Sequence, residues 1–356
     1  MIGERLLVVV GAGPAGAAAA RSAALHGAPV LVVEARRHCL GPDCCAELAP
    51  AMLLSELAVG HPVVIQRVNG LMVHDTGGGC HETKAPGVIL DRAVLTGGLL
   101  SQAVKAGAEI WRSARLSGLR DGVAVVRAAG REHEVGCGAV IGADGPHSVV
   151  AAIVGLPAQR CLPVVQERVV LRRPMEYAHV FFDLSFRLGY GWLFPRGDLA
   201  NVGLGGEFSS PEKLEAQFRG FRSRLEEDGF IYPDGSLDHC RGWLPVSGPR
   251  GTGRLGSVLL VGDAAGHTHP ITGAGIMPAL LGGAMAGEAA AQMLLSGDEA
   301  FLEEYPARWR SRYGDDLDWA LSKRWELELN WDRMPGSFKH YWAGFPEYHR
   351  GRRWKK

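Results

Sequence analysis

The mostly apolar stretch Arg5–Val10 runs into Gly11-Ala12-Gly13-Pro14-Ala15-Gly16, then into an alanine-rich segment that reaches His26 and stops at Gly27. A short apolar run closed by glycine predicts a buried parallel strand. Proline just inside the next segment and glycine just past it suit the two ends of a helix. Val30–Val33, closed by Glu34, predicts a second strand, which completes a βαβ unit of about 30 residues. Leu40–Leu57 reads as a loop and a helix, and His61–Leu90 as strands with a turn at Gly77-Gly78-Gly79. Asp91–Gly107 predicts a helix, Glu109–Val135 strands with a hairpin, and Ala139–Ile141 a buried strand ending in Gly142-Ala143-Asp144-Gly145. From Gln166 to Phe208 the period changes: Val169, Leu171, Val180, Phe182, Leu184 and Phe186 alternate with other residues, which predicts an antiparallel sheet. Pro211–Asp228 reads as a helix. Ser257–Val261 reads as a strand entering Gly262-Asp263 and a long helix, and the chain beyond Ala300 as helical with many Trp and Arg.

The expected fold class is therefore α/β. A Rossmann-like domain is drawn from residues 1–60, 88–160 and 254–297, and an antiparallel-sheet domain from 61–87 and 161–253. A helical C-terminal segment takes 298–356. Lys plus Arg equals Asp plus Glu at 38 each, so no overall field favours nucleic acid. The seven cysteines form no C-x-x-C pair and the histidines lack zinc spacing, so no metal site is expected and a reducing, cytoplasmic compartment is. Leu6–Leu25 is nearly uncharged but holds three glycines, Pro14 and Arg21. Ala274–Leu295 is apolar but glycine-rich and holds Glu288. Neither reads as a membrane span, so membrane contact is expected to be peripheral at most.

The spacing Gly11-x-Gly13-x-x-Gly16 carries the first chemistry. Gly11 permits a tight turn, Gly13 lets a pyrophosphate approach the backbone, and Gly16 lets helix and strand pack closely. Pro14 and Ala15 open the helix, whose free N–H groups favour phosphate. Glu34, eighteen residues beyond Gly16 and followed by Ala35 and Arg36, is placed to accept from the hydroxyls of an adenosine ribose. This motif alone leaves FAD and NAD open.

A second motif, Gly262-Asp263-Ala264-Ala265-Gly266 followed by Pro270-Ile271-Thr272-Gly273-Ala274-Gly275-Ile276, resembles the distal flavin motif of the glutathione-reductase superfamily. The resemblance implies that Asp263 bonds a ribityl hydroxyl and that the helix start faces the flavin's pyrimidine end, where it stabilises negative charge. Gly142-Ala143-Asp144-Gly145 resembles the middle fingerprint of the flavoprotein hydroxylases, with Ala151 and Ala152 where those relatives carry an arginine. Arg92 resembles the arginine that touches the ribityl–phosphate region, and reads equally as a surface arginine. Tyr190-Gly191-Trp192-Leu193-Phe194-Pro195, with Asn201-Val202-Gly203-Leu204-Gly205 and Cys45-Ala46-Glu47, is similar to the signature of the geranylgeranyl reductase family. Gly266 points the same way, because aromatic hydroxylases usually carry His there.

The resemblance implies FAD as cofactor, a p-hydroxybenzoate-hydroxylase-type fold, and reduction of an isoprenoid-like alkene. The antiparallel sheet then becomes the substrate domain, with Trp192 and Phe194 as candidate substrate wall or plain core. Cys45, Tyr190, His267 and His269 are candidate proton donors. Cys45 reads equally as an inert buried thiol, and the histidines as loop structure. Two other readings stay open. One is an NADH- or NADPH-oxidising flavoprotein that passes electrons to ferredoxin or another iron–sulfur protein; the other is a monooxygenase. The basic, aromatic stretch Tyr348–Lys356 reads as a solvated terminus or a contact for anionic lipid or an acidic protein partner.

Overall fold

The structure is a computed structural model that describes residues 6–38, 44–56, 63–120, 122–251 and 253–331. The stretch Tyr348–Lys356 lies outside the described residues. The first half of the chain runs β1 (Leu7–Val10), α1 (Pro14–Leu25), β2 (Val30–Glu34), β3 (Leu48–Pro50), α2 (Leu53–Glu56), β4 (Val64–Val68), β5 (Leu71–His74), β6 (Cys80–Thr83), β7 (Gly87–Leu90) and α3 (Arg92–Lys105). It continues through β8 (Glu109–Arg112), β9 (Ala114–Arg120), β10 (Val123–Ala128), β11 (Arg131–Gly136), β12 (Ala139–Gly142) and α4 (Val149–Ile153). The second half runs β13 (Cys161–Leu171), β14 (Ala178–Phe181), β15 (Tyr190–Arg196), β16 (Leu199–Gly205), α5 (Pro211–Glu227), β17 (Ile231–Pro245), β18 (Arg254–Leu255), β19 (Val258–Leu260), α6 (Ile276–Ser296) and α7 (Ala300–Asn330).

Strands β19, β12, β1, β2 and β8 form a parallel sheet, with β18 antiparallel on its edge. β1 and β2 are buried on both faces, which is why they read as unbroken apolar runs. Helix α1 covers one face with a line of alanines, and α6 lies directly on it. A Cβ at Gly283 would stand 2.1 Å from the Ala15 carbonyl oxygen, and one at Gly287 2.2 Å from that of Ala19. The glycine-rich apolar run thus serves backbone-to-backbone helix packing. No helix among the described residues is long and apolar enough to cross a membrane.

A seven-stranded sheet in the order β17-β13-β16-β15-β14-β5-β6 forms the second layer. It departs from the expected antiparallel sheet at one pair: β5 runs parallel to β14, Leu71 opposite Ala178. The 15-residue β17 was unforeseen. Pro233, Asp234 and Gly235 imitate a turn, and its outer face is largely exposed, so it lacks an apolar period. Leu48–Pro50, expected within a loop and helix, pairs instead with β7 in a small β3-β7-β4 sheet, leaving only one turn of helix at Leu53–Glu56. Tertiary pairing overrides local preference there. The boundary expected at residues 87/88 falls inside β7.

Candidate functional site

A cavity of about 780 Å³ opens between the carboxyl ends of β1, β2 and β12 and one face of the seven-stranded sheet. This is the crevice where open α/β sheets bind ligands. Gly11 sits at φ +99°, and a Cβ on it would lie 2.4 Å from the Ala143 carbonyl oxygen. Gly13 caps α1 without a side-chain hydrogen bond, and no heavy atom approaches the place of its absent Cβ within 4 Å. The α1 N-terminus thus carries no side-chain cap, and the space beside Gly13 is open to a pyrophosphate. Pro14 and Ala15 line the cavity beside them. Gly16 does not line it: its absent Cβ would stand 1.9 Å from the Gly11 carbonyl oxygen, so it serves the packing of helix on strand.

Glu34 is buried at the end of β2. Its Oε2 accepts from Ala12 N at 2.8 Å, and its Oε1 from Arg36 N at 2.7 Å and Arg36 Nε at 3.2 Å. A carboxylate offers about four acceptor positions. With these bonds in place one position remains, on Oε2, so accepting from both ribose hydroxyls requires the Arg36 side chain to yield. Ala35 and Arg36 lie on the same wall.

At the other end of the cavity Gly262 and Gly266 hold φ +57° and +71° around a single 3₁₀ turn, and Gly273 holds +69°. A Cβ at Gly266 would lie 2.0 Å from the Gly248 carbonyl oxygen, so the position has no room for histidine. Burial pushes the Asp263 carboxyl above its usual range, opposed by a hydrogen bond from Thr268 Oγ1 and the nearby Arg92 guanidinium. Pro270, Gly273, Ala274, Gly275 and Ile276 line the wall, and α6 starts at Gly275 without a side-chain cap. Two uncapped helix N-termini thus face one cavity.

Asp144 also lines the cavity, but its carboxylate is turned to α4. It accepts from Ser148 Oγ at 2.6 Å, Val149 N at 2.7 Å and Val150 N at 3.1 Å. Helix capping therefore occupies the side chain that was expected to meet the cofactor.

Cys45 lines the cavity, and its loop is tied down from several sides. Gln166 Nε2 donates to the Cys45 carbonyl at 3.1 Å while Gln166 Oε1 accepts from Trp192 Nε1 at 3.1 Å. Asn201 Nδ2 donates to the Ala46 carbonyl at 3.2 Å. Glu47, at φ +63°, buries a carboxylate that accepts from Arg196 Nε at 2.9 Å, Asn201 Nδ2 at 3.1 Å and Arg92 N at 3.2 Å. Glu47, Gln166, Arg196 and Asn201 were absent from the expected site. Glu47 and Asn201 lie inside the quoted motifs Cys45-Ala46-Glu47 and Asn201–Gly205, so a signal was there.

Trp192 and Phe194 both line the cavity and are both nearly inaccessible to solvent. The indole lies on Gly203, where a Cβ would meet Trp192 Cζ2 at 2.1 Å. Tyr190 donates from its hydroxyl to the Thr272 carbonyl at 2.6 Å, and burial pushes its pKa up. That proton is committed to the loop, which makes Tyr190 a poor acid. The histidines need a plainer correction, for neither lines the cavity. His267 stacks on Trp309 at 3.6 Å between ring centroids, and burial lowers its pKa to about 3. His269 accepts at Nδ1 from Ile271 N and Thr272 N at 3.3 and 3.2 Å. Both shape the loop that carries Pro270–Gly275.

Leu71, Leu162, Val164, Val180, Leu188 and Leu244 add a continuous apolar wall from the large sheet. Trp243, half-exposed, and His147 meet edge to face at 5.3 Å on the rim. Among the described residues no cluster of three His, Cys, Asp or Glu is arranged to hold a metal.

Residues 6–81 match the pyridine nucleotide-disulphide oxidoreductase family. The chain is 34% identical over 336 residues to digeranylgeranylglycerophospholipid reductase 2 of Methanopyrus kandleri, covering 88% of this chain and 84% of that protein. It is 31% identical over 338 residues to digeranylgeranylglycerophospholipid reductase of Methanocaldococcus jannaschii, covering 90% and 86%. The geranylgeranyl bacteriochlorophyll reductase-like structure from Thermoplasma acidophilum superposes with a TM-score of 0.83 at 23% identity, covering 93% of this chain and 88% of that one. The p-nitrophenol 4-monooxygenase of Pseudomonas putida shares the fold, at a TM-score of 0.75 and 16% identity over 94% and 90%. With the paired helix N-termini, the Cys45 loop and this extent of identity, the chain belongs to the geranylgeranyl reductase family of FAD-dependent oxidoreductases.

Proposed function

We propose that the chain reduces carbon–carbon double bonds of an isoprenoid lipid, using FAD held along the cavity. The carrying observation is that one cavity is lined both by a dinucleotide cradle and by a broad set of apolar side chains, with Cys45 also on its wall. The residues fit FAD. The α1 N-terminus at Gly13 would receive the pyrophosphate, Glu34 the ribose, Asp263 and Arg92 the ribityl–phosphate stretch, and the α6 N-terminus at Gly275 the pyrimidine edge. The chemistry FAD supplies when bound and reduced is hydride donation to one carbon of the alkene.

The protein's own part is placement, dryness and a proton. Trp192, Phe194 and the leucine and valine wall hold the chain and exclude water. Among the candidates the Cys45 thiol is the proton donor to the second alkene carbon, since Tyr190 is committed to Thr272 and neither His267 nor His269 lines the cavity. The loop network fixes where that thiol stands. Electrons arrive from NADH, NADPH or a small iron–sulfur protein. The apolar wall favours this reading over a flavoprotein that only relays electrons, and Gly266 disfavours a hydroxylase of the aromatic type.

The test is product analysis. Holoenzyme, dithionite and a geranylgeranylated lipid should give a product that gains two hydrogens per bond reduced, and in deuterated water one deuterium at each of the two carbons, because dithionite supplies electrons alone and both hydrogens come from solvent. Cys45→Ala should retain FAD and lose most turnover, and Cys45→Ser should lose less. An oxygenated product, or unchanged lipid, would refute the proposal.

A further inference from the structure

Arg324 stands on α7, remote in sequence from every motif above, yet it forms part of the cavity wall with Leu188, Gly189 and Tyr190. It is 2% exposed. A guanidinium carries five N–H donors in a rigid fork. Nη1 donates to the Leu188 carbonyl at 2.8 Å and Nε to Glu328 Oε1 at 2.7 Å. Nη2 has no hydrogen-bond partner. Glu328 is itself shared, because its Oε2 pairs with Arg160 Nη1 at 2.7 Å. Arg160 has a second carboxylate, Glu207 Oε1 at 2.7 Å from its Nη2, and none of these pairs reaches Arg324 Nη2. Burying a cationic donor without an acceptor is costly, and a ligand anion removes that cost.

We propose that Arg324 anchors the anionic end of the substrate, a phosphate group esterified to the isoprenoid chain. The hydrocarbon then lies along the apolar wall toward Cys45. Nη2 keeps its N–H donors for phosphate oxygen, held in place by the bonds of Nε and Nη1, a fixed geometry that a lysine does not match. Arg324 is here a substrate-anchoring residue that selects charged over neutral chains. This inference rests on the alkene-reductase reading above.

The test compares wild type with Arg324→Gln and Arg324→Lys on two probes of identical chain: geranylgeranyl diphosphate and the neutral alcohol geranylgeraniol. For the diphosphate, Arg324→Gln should raise KM roughly tenfold to a hundredfold, the range for a lost hydrogen bond to a charged group, with kcat little changed. KM for the alcohol should stay within about twofold, because no charge is involved. Arg324→Lys should fall between wild type and Arg324→Gln. A third substrate, a geranylgeranylated phosphodiester lipid, identifies the source: the substrate with the larger loss carries the natural headgroup. Equal losses on the charged and neutral probes would mean that Arg324 only braces the Leu188 segment, and would overturn the proposal. Loss of FAD from Arg324→Gln would overturn it too, by making Arg324 a cofactor contact. Binding of the diphosphate to oxidised holoenzyme, followed by the flavin spectrum, gives the same comparison without turnover. It therefore stands even if wild type reduces neither probe.

Discussion

Glu47→Ala tests whether the Cys45 loop is held by a buried ionic network. The Glu47 side chain is 8% exposed, and Arg196 beside it 17%. Removal of the carboxylate deprives Arg196 Nε and the Arg92 N–H of their acceptor, while Arg196 keeps Asp91 at 3.1 Å and Asn201 keeps the Ala46 carbonyl. Breaking a buried pair by deleting one partner costs about 3–5 kcal/mol. The surviving Asp91 contact places the expected loss at the lower end, about 3 kcal/mol. Glu47→Gln keeps the shape but turns an amide N–H toward donors, for a loss of about 2 kcal/mol. The control is Glu132→Gln, whose pair with Arg127 has side chains 53% and 65% exposed and should change stability by under about 0.5 kcal/mol. Urea unfolding of the holoprotein reads all three. Turnover should fall with Glu47→Ala more than FAD affinity does, because the loop that carries Cys45 loses its main anchor while the cradle loses only the acceptor of the Arg92 N–H. A Glu47→Ala variant as stable as the Glu132→Gln control would refute the reasoning.

Three further outcomes are expected. Glu34→Gln should weaken FAD binding by roughly tenfold or more, the value of a charge-assisted hydrogen bond, measured by titration of the apoprotein. His267 stays neutral in the folded chain down to about pH 3, whereas the unfolded chain takes a proton below about pH 6.5. Its folded pKa is depressed, so its contribution is intact above about pH 6.5 and is lost as pH falls below that. His267→Phe should therefore show a smaller drop in urea midpoint between pH 7 and pH 5 than wild type, and an equal drop would refute the assignment. Gly266→His should lose FAD or fail to accumulate folded protein, since a Cβ there would stand 2.0 Å from a backbone oxygen at φ +71°; a folded, FAD-loaded variant would show that Gly248 can move aside.

Much of the site was legible because backbone demands write themselves into glycine positions. The Gly11–Ala15 turn lies far in sequence from Gly262, Asp263, Thr268 and Pro270–Gly275, yet all of these line one cavity, while Gly16 packs behind it. What local pattern could not supply was the cost of each contact to a side chain's remaining capacity. Asp144 and Tyr190 stand at the cavity as expected, but Ser148 and the α4 N–H groups occupy one and the Thr272 carbonyl the other. His267 and His269 sit within the flavin motif by sequence, but their rings turn behind it, onto Trp309 and into the loop's own N–H groups. β17 was hidden because an exposed edge strand with Pro233 and Gly235 has no apolar period. Arg324 was hidden because a helix of mixed charge gives no hint of which arginine turns inward.

The most direct test is anaerobic. Holoenzyme bleached near 450 nm by dithionite should recover its yellow colour when a geranylgeranylated lipid is added, with the lipid's double bonds reduced in proportion to the flavin reoxidised. Flavin that stays bleached with the lipid, yet reoxidises at once with an iron–sulfur protein, would contradict the claim that this cavity reduces alkenes.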